Sequence, residues 1–246
     1  MSDASPQGSA PATGAPQRIA LVTGASRGIG AATAQALAAA GYHVVLTARD
    51  TKALEQVEDA IHQAGGTATI APMDLTEPDA IARLAVAVAE RWGKLDALVI
   101  NAAVLPTLTP VTDIDQKGLN KALATNVLAT QTLLASCHPL LKKAEAPRVI
   151  ALTTSVAATP RAFWGAYGAT KAAQEVLLDC YAQEVRNISK VRVAIVDPGA
   201  TRTAMRAKAY PGEDPKSVKD PAVVAKAVVA LLGEDFASPH RMRVEG

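Results

Sequence analysis

The chain has 246 residues, with 25 Lys+Arg against 23 Asp+Glu and a formal net charge of +2. That length suits one large α/β domain with a core that needs no staples, and so slight a charge carries no footprint of a nucleic-acid partner. Two cysteines, Cys137 and Cys180, exclude a disulfide scaffold and a four-thiolate zinc site and fit a reducing, cytoplasmic compartment.

Residues 1–17 are Pro-, Gly-, Ser- and Ala-rich, lack the apolar run of a signal peptide, and are predicted to form a disordered tail. Residues 18–246 then read as a single domain. The run RIALVTG, 18–24, is short, apolar, β-branched and closed by glycine, the signature of a strand buried on both faces. An Ala-rich helix follows over 28–41, with Gly41 as its stop, and a second buried strand over 43–48. A charged helix spans 51–64 and ends at Gly65-Gly66, and a third strand covers 67–72. Thr76 starts a helix that carries Glu77 and Pro78 in its first turn and runs to Trp92. Strands at 95–101, 147–155 and 190–199 alternate with helical stretches at 115–143, 164–187 and 221–232, and RMRVE near the C-terminus supplies a candidate seventh strand. Both cysteines fall in helices and are expected to be buried, inert thiols. Four scattered histidines show no ligand spacing, and no metal is expected.

Strict alternation with short links predicts an α/β doubly wound Rossmann fold, a single parallel sheet of about seven strands with helices on both faces. Ligands of such sheets sit beyond the C-terminal strand ends, so functional residues belong at or just after them. The first strand runs into Thr23-Gly24-Ala25-Ser26-Arg27-Gly28-Ile29-Gly30. Glycines at 24, 28 and 30 allow a tight turn and close approach to a pyrophosphate, with the N–H groups of the next helix behind it. The spacing G-x-x-x-G-x-G is neither the G-x-G-x-x-G fingerprint nor a Walker loop, and a Gly-rich turn without a ligand is the competing reading. The second strand ends Thr47-Ala48-Arg49 with no acidic residue for a ribose 2′-hydroxyl. Arg27 and Arg49 together suit a 2′-phosphate, so NADP(H) is preferred and NAD(H) remains possible. The plainer alternative is two solvated arginines with Asp50 capping a helix.

Tyr167 and Lys171 stand four apart in YGATK, on one helix face, and Ser155 closes the fifth predicted strand 12 residues before the tyrosine. A neighbouring ammonium is expected to lower a phenol from its ordinary value near 10. Such a tyrosine can give a proton to a carbonyl oxygen as hydride reaches carbon, while the serine hydroxyl hydrogen-bonds that oxygen.

TGASRGIG, Asn101-Ala102-Ala103, Asn126 in LATNVLA, Ser155, YGATK and DPGATRT occur together and in one order. In this combination the chain resembles the short-chain dehydrogenases/reductases over residues 18–246. The resemblance implies that Tyr167 is the catalytic acid/base, that Lys171 binds the nicotinamide ribose and lowers the tyrosine pKa, and that Ser155 positions the substrate. It implies that Asn126 holds a water linking Lys171 to solvent. It places Gly24, Ser26, Arg27, Gly28, Ile29, Gly30 and Arg49 on the phosphates, Asp74 and Leu75 at the adenine, Asn101 and Ala102 along the cofactor, and Pro198, Gly199 and Thr201 beside the nicotinamide. Ile100 and Ala103 depart from the family's N-N-A-G pattern without touching the catalytic set.

The resemblance also implies a homodimer or homotetramer, paired through the helices that hold Asn126 and Tyr167. Substrate specificity is expected in the loops after the fourth, fifth and sixth strands, with 199–220 as a lid. Three of the eight aromatic residues (Phe163, Trp164, Tyr210) fall there and suggest an apolar pocket. Arg161 or Arg206 is a candidate anchor for an anionic substrate tail. The leading reading is an NADP(H)-dependent oxidoreductase acting on a carbonyl/secondary alcohol pair. A 3-oxoacyl-[acyl-carrier-protein] reductase is the near alternative, and a non-catalytic dinucleotide-binding sensor or scaffold is the alternative of another class. The partner expected is a small molecule, with neither nucleic acid nor membrane.

Overall fold

A computed structural model describes residues 17–245; the tail expected over 1–17 lies outside them except for its last residue. Seven strands form one sheet in the order β3-β2-β1-β4-β5-β6-β7, parallel throughout. They are β1 Arg18–Thr23, β2 Tyr42–Thr47, β3 Thr67–Ile70, β4 Ala97–Ile100, β5 Arg148–Leu152, β6 Arg192–Asp197 and β7 His240–Arg243. β1 and β4 are neighbours, yet the chain leaves β1 toward one edge and returns at β4 to build the other. That reversal is the switch point at which a crevice opens beyond the strand ends.

The central strands are buried on both faces because helices cover both, which is why they read as unbroken apolar runs. On one side α1 Gly28–Ala39, α2 Thr51–Gln63 and α9 Pro221–Gly233 drive Leu37, Leu54 and Val228 against Val22, Val99 and Val196. On the other, α3 Pro78–Trp92, α5 Ala129–Leu141 and α7 Gly165–Val185 place Ile81, Leu133 and Leu178 against Leu98 and Val149. Each such aliphatic side chain contributes about 1.5–3 kcal/mol. The sheet edge is therefore a rigid platform for the loops above it.

Several boundaries differ from those expected. The helix expected from Thr76 starts at Pro78, because the Thr76 N–H and hydroxyl both donate to the Asp74 carboxylate at 2.9 Å and hold a turn. The helical stretch expected over 115–143 is three pieces: α4 Gln116–Leu123, a π-helical turn Ala124–Leu128 and α5. The Thr130 hydroxyl donates to the Asn126 carbonyl at 3.0 Å, within this looser winding. The fifth strand stops at Leu152, and Ser155 opens a short helix, α6 Ser155–Ala158, rather than ending the strand. Thr153 still donates its N–H to Val196, but its hydroxyl turns to Glu175 and the ladder ends. The stretch 199–220 is more regular than expected, holding α8 Ala204–Ala209 and a 3-10 turn Pro215–Ser217. Cys137 is buried, and burial pushes its thiol up to about 12; Cys180, expected to be buried, is exposed. It lies one turn after the exposed Val176, on the outer face of α7. No helix among the described residues is long and apolar enough to cross a membrane.

Candidate active site

The glycine turn is fixed by contacts too close for any side chain. Gly24 and Gly28 lie at φ +66 and +56, and a Cβ on Gly30 would stand 2.1 Å from the Gly24 carbonyl oxygen. Asn101, just past β4, donates its side-chain amide to the carbonyls of Thr23 and Gly24 at 2.9 and 3.2 Å. The buried Thr23 hydroxyl donates to the Val99 carbonyl and accepts from the N–H groups of Asn101 and Ala102. Asn101 therefore clamps the turn to β4, and Thr23, which the sequence reading did not single out, completes the clamp.

α1 begins at this turn. Its N-cap, Arg27, makes no side-chain cap, and no acidic residue stands in its first turn. By contrast α2, α4, α8 and α9 are capped by Asp50, Asp115, Thr203 and Asp220. The N–H groups and positive end of α1 are thus left for an anion approaching the glycines. Arg27 is exposed, and Ser26 and Ile29 are half-buried beside it. Arg49 is exposed at the end of β2, whose Thr47 pairs with Thr23 and accepts from the Ala25 N–H, so both arginines overlook the same turn. Asp74 lies beyond β3, 3.9 Å from Arg49, with its carboxyl held below the usual range mainly by the Thr76 N–H. Leu75 packs into the core, which leaves only its backbone for a ligand.

Ser155, at the head of α6, is reached by an Arg161 Nη2 donor at 3.4 Å. Tyr167 and Lys171 follow on α7, with Gly168 close under α6: a Cβ there would stand 2.9 Å from the Val156 carbonyl oxygen. Tyr167 is buried with Leu105 and Val156 and packed on Leu108, Trp164, Met205 and Ala209; its hydroxyl points at Met205 Sδ, 3.9 Å away. Burial, reinforced by the Asp197 charge, pushes its phenol up to about 12. Burial brings Lys171 down to about 8. The expected lowering of the phenol by the ammonium is not what this arrangement produces. Lys171 Nζ is drawn into the helix–sheet interface, where it donates to the Leu152 carbonyl at 2.6 Å and to Gln174 Oε1.

A buried chain of side chains continues from there. Gln174 donates to the Thr130 hydroxyl at 2.9 Å, and that hydroxyl donates to the Asn126 carbonyl. The Asn126 side chain is itself fully engaged, accepting from the Val104 N–H and donating to the Val104 carbonyl and to Thr170. Gln174 and Thr130, 44 residues apart, were not among the residues expected at the site. A polar residue on the buried face of α7 was the one signal for Gln174.

Pro198, Gly199 and Thr201 close the edge beyond β6. Gly199 turns at φ +62, and Thr201 donates to the Pro198 carbonyl at 3.0 Å. Above Ser155 lies a cavity of about 200 Å³, lined by Thr154, Arg161, Trp164, Asp197, Arg206 and Tyr210 among others. The described residues thus bring both expected sets, the turn and the Ser-Tyr-Lys group, to one edge of one sheet.

The protein-family model for short chain dehydrogenase matches residues 18–214. The chain is a short-chain dehydrogenase. It is 35% identical over 221 residues to an uncharacterized oxidoreductase, YciK, of Escherichia coli K12, covering 89% of this chain and 87% of that one. It superposes with a TM-score of 0.89 on a short chain dehydrogenase from Escherichia coli CFT073 complexed with NADPH, at 34% identity, covering 93% and 97% of the two chains. A metagenomic short-chain oxidoreductase in complex with NADP aligns at TM-score 0.80 and 33% identity, over 93% and 97%. As a member of this family the dehydrogenase is an oxidoreductase of the kind that acts on CH–OH groups.

Proposed function

We propose that this dehydrogenase is NADP(H)-dependent and interconverts a carbonyl with its secondary alcohol. The observation that carries the reading is the shared edge. An uncapped helix N-terminus behind a glycine turn lies beside two exposed arginines, Arg27 and Arg49, and Ser155 and Tyr167 lie beyond strands of the same sheet. The turn fits a pyrophosphate because Gly24 and Gly30 pack backbone on backbone and bring the uncapped N–H groups of α1 to the sheet edge, and Arg27 and Arg49 fit a further phosphate by charge. The NADPH and NADP found in two similar structures support the same choice.

Gly24, Ser26, Gly28, Ile29 and Gly30 would hold the pyrophosphate, Asp74, Leu75 and Ala102 would lie along the adenosine, and Pro198, Gly199 and Thr201 would flank the nicotinamide. When bound, the cofactor supplies or accepts a hydride at the substrate carbon. Ser155 donates a hydrogen bond to the substrate oxygen and fixes it. Tyr167 delivers the proton: a phenol at about 12 is protonated at neutral pH and is a donor there. Lys171, one turn further along α7, would hold the nicotinamide ribose, and Asn126 holds the winding beside it through Val104 and Thr170. A homo-oligomer paired through the helices that hold Asn126 and Tyr167 goes with this reading, and Leu128 and Val176 are exposed apolar residues available on them.

Steady-state kinetics with both cofactors and a panel of ketones, diketones and acyl thioesters tests the reading. Expected are a kcat/KM ratio favouring NADPH and a loss of turnover of about 10²–10⁴-fold in Tyr167→Phe with NADPH binding retained. Full turnover in that variant overturns the mechanism, and a preference for NADH overturns the cofactor.

A further inference from the structure

The cavity above Ser155 has three arginines on its walls, and they are not equivalent. Arg206 spends its Nε and Nη2 on both oxygens of Glu213 and lays its guanidinium over the Tyr210 ring, 3.7 Å from the centroid. Its charge is neutralised within the lid, which removes it as a substrate anchor. Arg243 faces Asp197 at 3.8 Å and Glu245 at 3.5 Å. Asp197 is further tied down by the Gly199 N–H. Arg161 has no carboxylate within ion-pair distance among the described residues, and its side chain makes one hydrogen bond, the long 3.4 Å contact to Ser155 Oγ. Arg161 is therefore the one guanidinium on these walls without a carboxylate partner among the described residues, and it sits on the serine that would receive the substrate oxygen.

A guanidinium and a hydroxyl only 3.4 Å apart aim at two acceptors close together on one molecule. With hydrogen bonds of about 2.7–3.0 Å, that bite suits oxygens on neighbouring carbons or with one carbon between. The planar fork of arginine matches a carboxylate. The cavity volume of about 200 Å³ lies below the roughly 300 Å³ at which pockets for drug-sized ligands begin, which suits a small molecule.

Resting on the oxidoreductase reading above, we propose that the substrate is a short oxo acid, its carboxylate on Arg161 and its 2- or 3-oxo oxygen between Ser155 and Tyr167, with the hydroxy acid as the reverse substrate. In reduction the carbonyl π bond breaks, a hydride from NADPH forms the new C–H bond, and the Tyr167 proton forms the O–H bond. The oxo acid gains two electrons and NADPH becomes NADP⁺.

The test is NADPH oxidation by the full chain with four- to six-carbon 2-oxo and 3-oxo acids, their methyl esters, and the neutral ketones of equal size. For wild type, kcat/KM for an acid should exceed that for its ester at least tenfold, and the excess should shrink as ionic strength rises. In Arg161→Gln the acid-to-ester ratio should fall to within about threefold of one, and Arg161→Lys should restore part of it. Arg161 is exposed, so the variants fold, and NADPH fluorescence titration confirms it. Turnover of ketones or esters with no gain from the carboxylate, or an unchanged ratio in Arg161→Gln, overturns this inference alone. No turnover of any carbonyl compound by NADPH-bound wild type overturns the oxidoreductase reading and this inference with it.

Discussion

Lys171 is a charge held where water does not reach it, and that has a measurable consequence for stability. It is 2% exposed, and burial lowers it from 10.5 to about 8. Between those values the unfolded chain holds a proton that the folded chain has released, so stability rises with pH through this window. Below pH 8 both states are protonated and the cost of burying the ammonium is fully present. At about 1.36 kcal/mol per pH unit the whole window is worth about 3 kcal/mol. Lys171→Met keeps the length of the side chain and removes the charge. It also leaves the Leu152 carbonyl and Gln174 Oε1 without their donor, at about 1–3 kcal/mol each. These effects oppose one another at pH 7, so the pH dependence is the sharper readout. Urea denaturation of both proteins at pH 7.5 and 9.5 should show wild type gaining about 2 kcal/mol on the variant across that interval. The interval stops below 10, where an unfolded tyrosine begins to ionise while the buried Tyr167, at about 12, does not. A stability difference that is the same at both pH values would refute the claim that Lys171 is a buried, destabilised charge.

Three further outcomes follow from the site. Arg49→Ala should lower kcat/KM with NADPH by about 10–100-fold, as loss of a charge-assisted contact to a phosphate does, while kcat/KM with NADH changes little; equal losses with both cofactors would remove Arg49 from the 2′-phosphate. Gly30→Ala drives a methyl against the Gly24 carbonyl oxygen, so Kd for NADPH by fluorescence titration should rise at least tenfold and Tm should fall. Glu213→Gln breaks the clasp between α8 and the following turn. A pair of this exposure is worth about 0–1 kcal/mol, so Tm should move by no more than about 4 °C, while proteolytic cleavage within residues 199–220 becomes faster; unchanged cleavage would show that the clasp does not hold the lid.

The parts of the fold legible in the sequence are those set by near neighbours. Runs such as IALV and HVVL, short, β-branched and closed by turn residues, read as strands covered on both faces, and Gly24 and Gly30 stand where a Cβ would meet backbone. Tyr167 and Lys171 were legible because four residues make one helical turn. What stayed hidden was decided across the molecule. Nothing local to Asn126 announces a π-helical turn, which is coupled to Val104, Thr170 and Thr130. Lys171 was read with Tyr167 as its partner, and the residue that takes its proton donor is Gln174, placed by a bond to Thr130 on another helix. Arg161 and Arg206 are indistinguishable in sequence; only the folded lid commits Arg206 to Glu213. Cys180 is exposed because helix phase, four residues after the exposed Val176, outweighs the usual burial of a thiol.

The position of Met205 links the lid to the chemistry. In the proposed reaction the Tyr167 hydroxyl would face a substrate oxygen to give up its proton; here it faces a thioether 3.9 Å away, a weak acceptor. Met205 sits on α8, whose first turn is capped by Thr203 and whose end is clasped through Arg206 and Glu213. A substrate oxygen replacing sulfur at that hydroxyl gains a stronger hydrogen bond, and the move requires the Met205 side chain to turn aside. Productive binding and the placement of Met205 are therefore one equilibrium, biased by whatever anchors the substrate beside Ser155. A ligand held there by Arg161 would bias it more than one held by the apolar wall of Trp164 and Tyr210 alone, because a charge-assisted hydrogen bond adds to those apolar contacts.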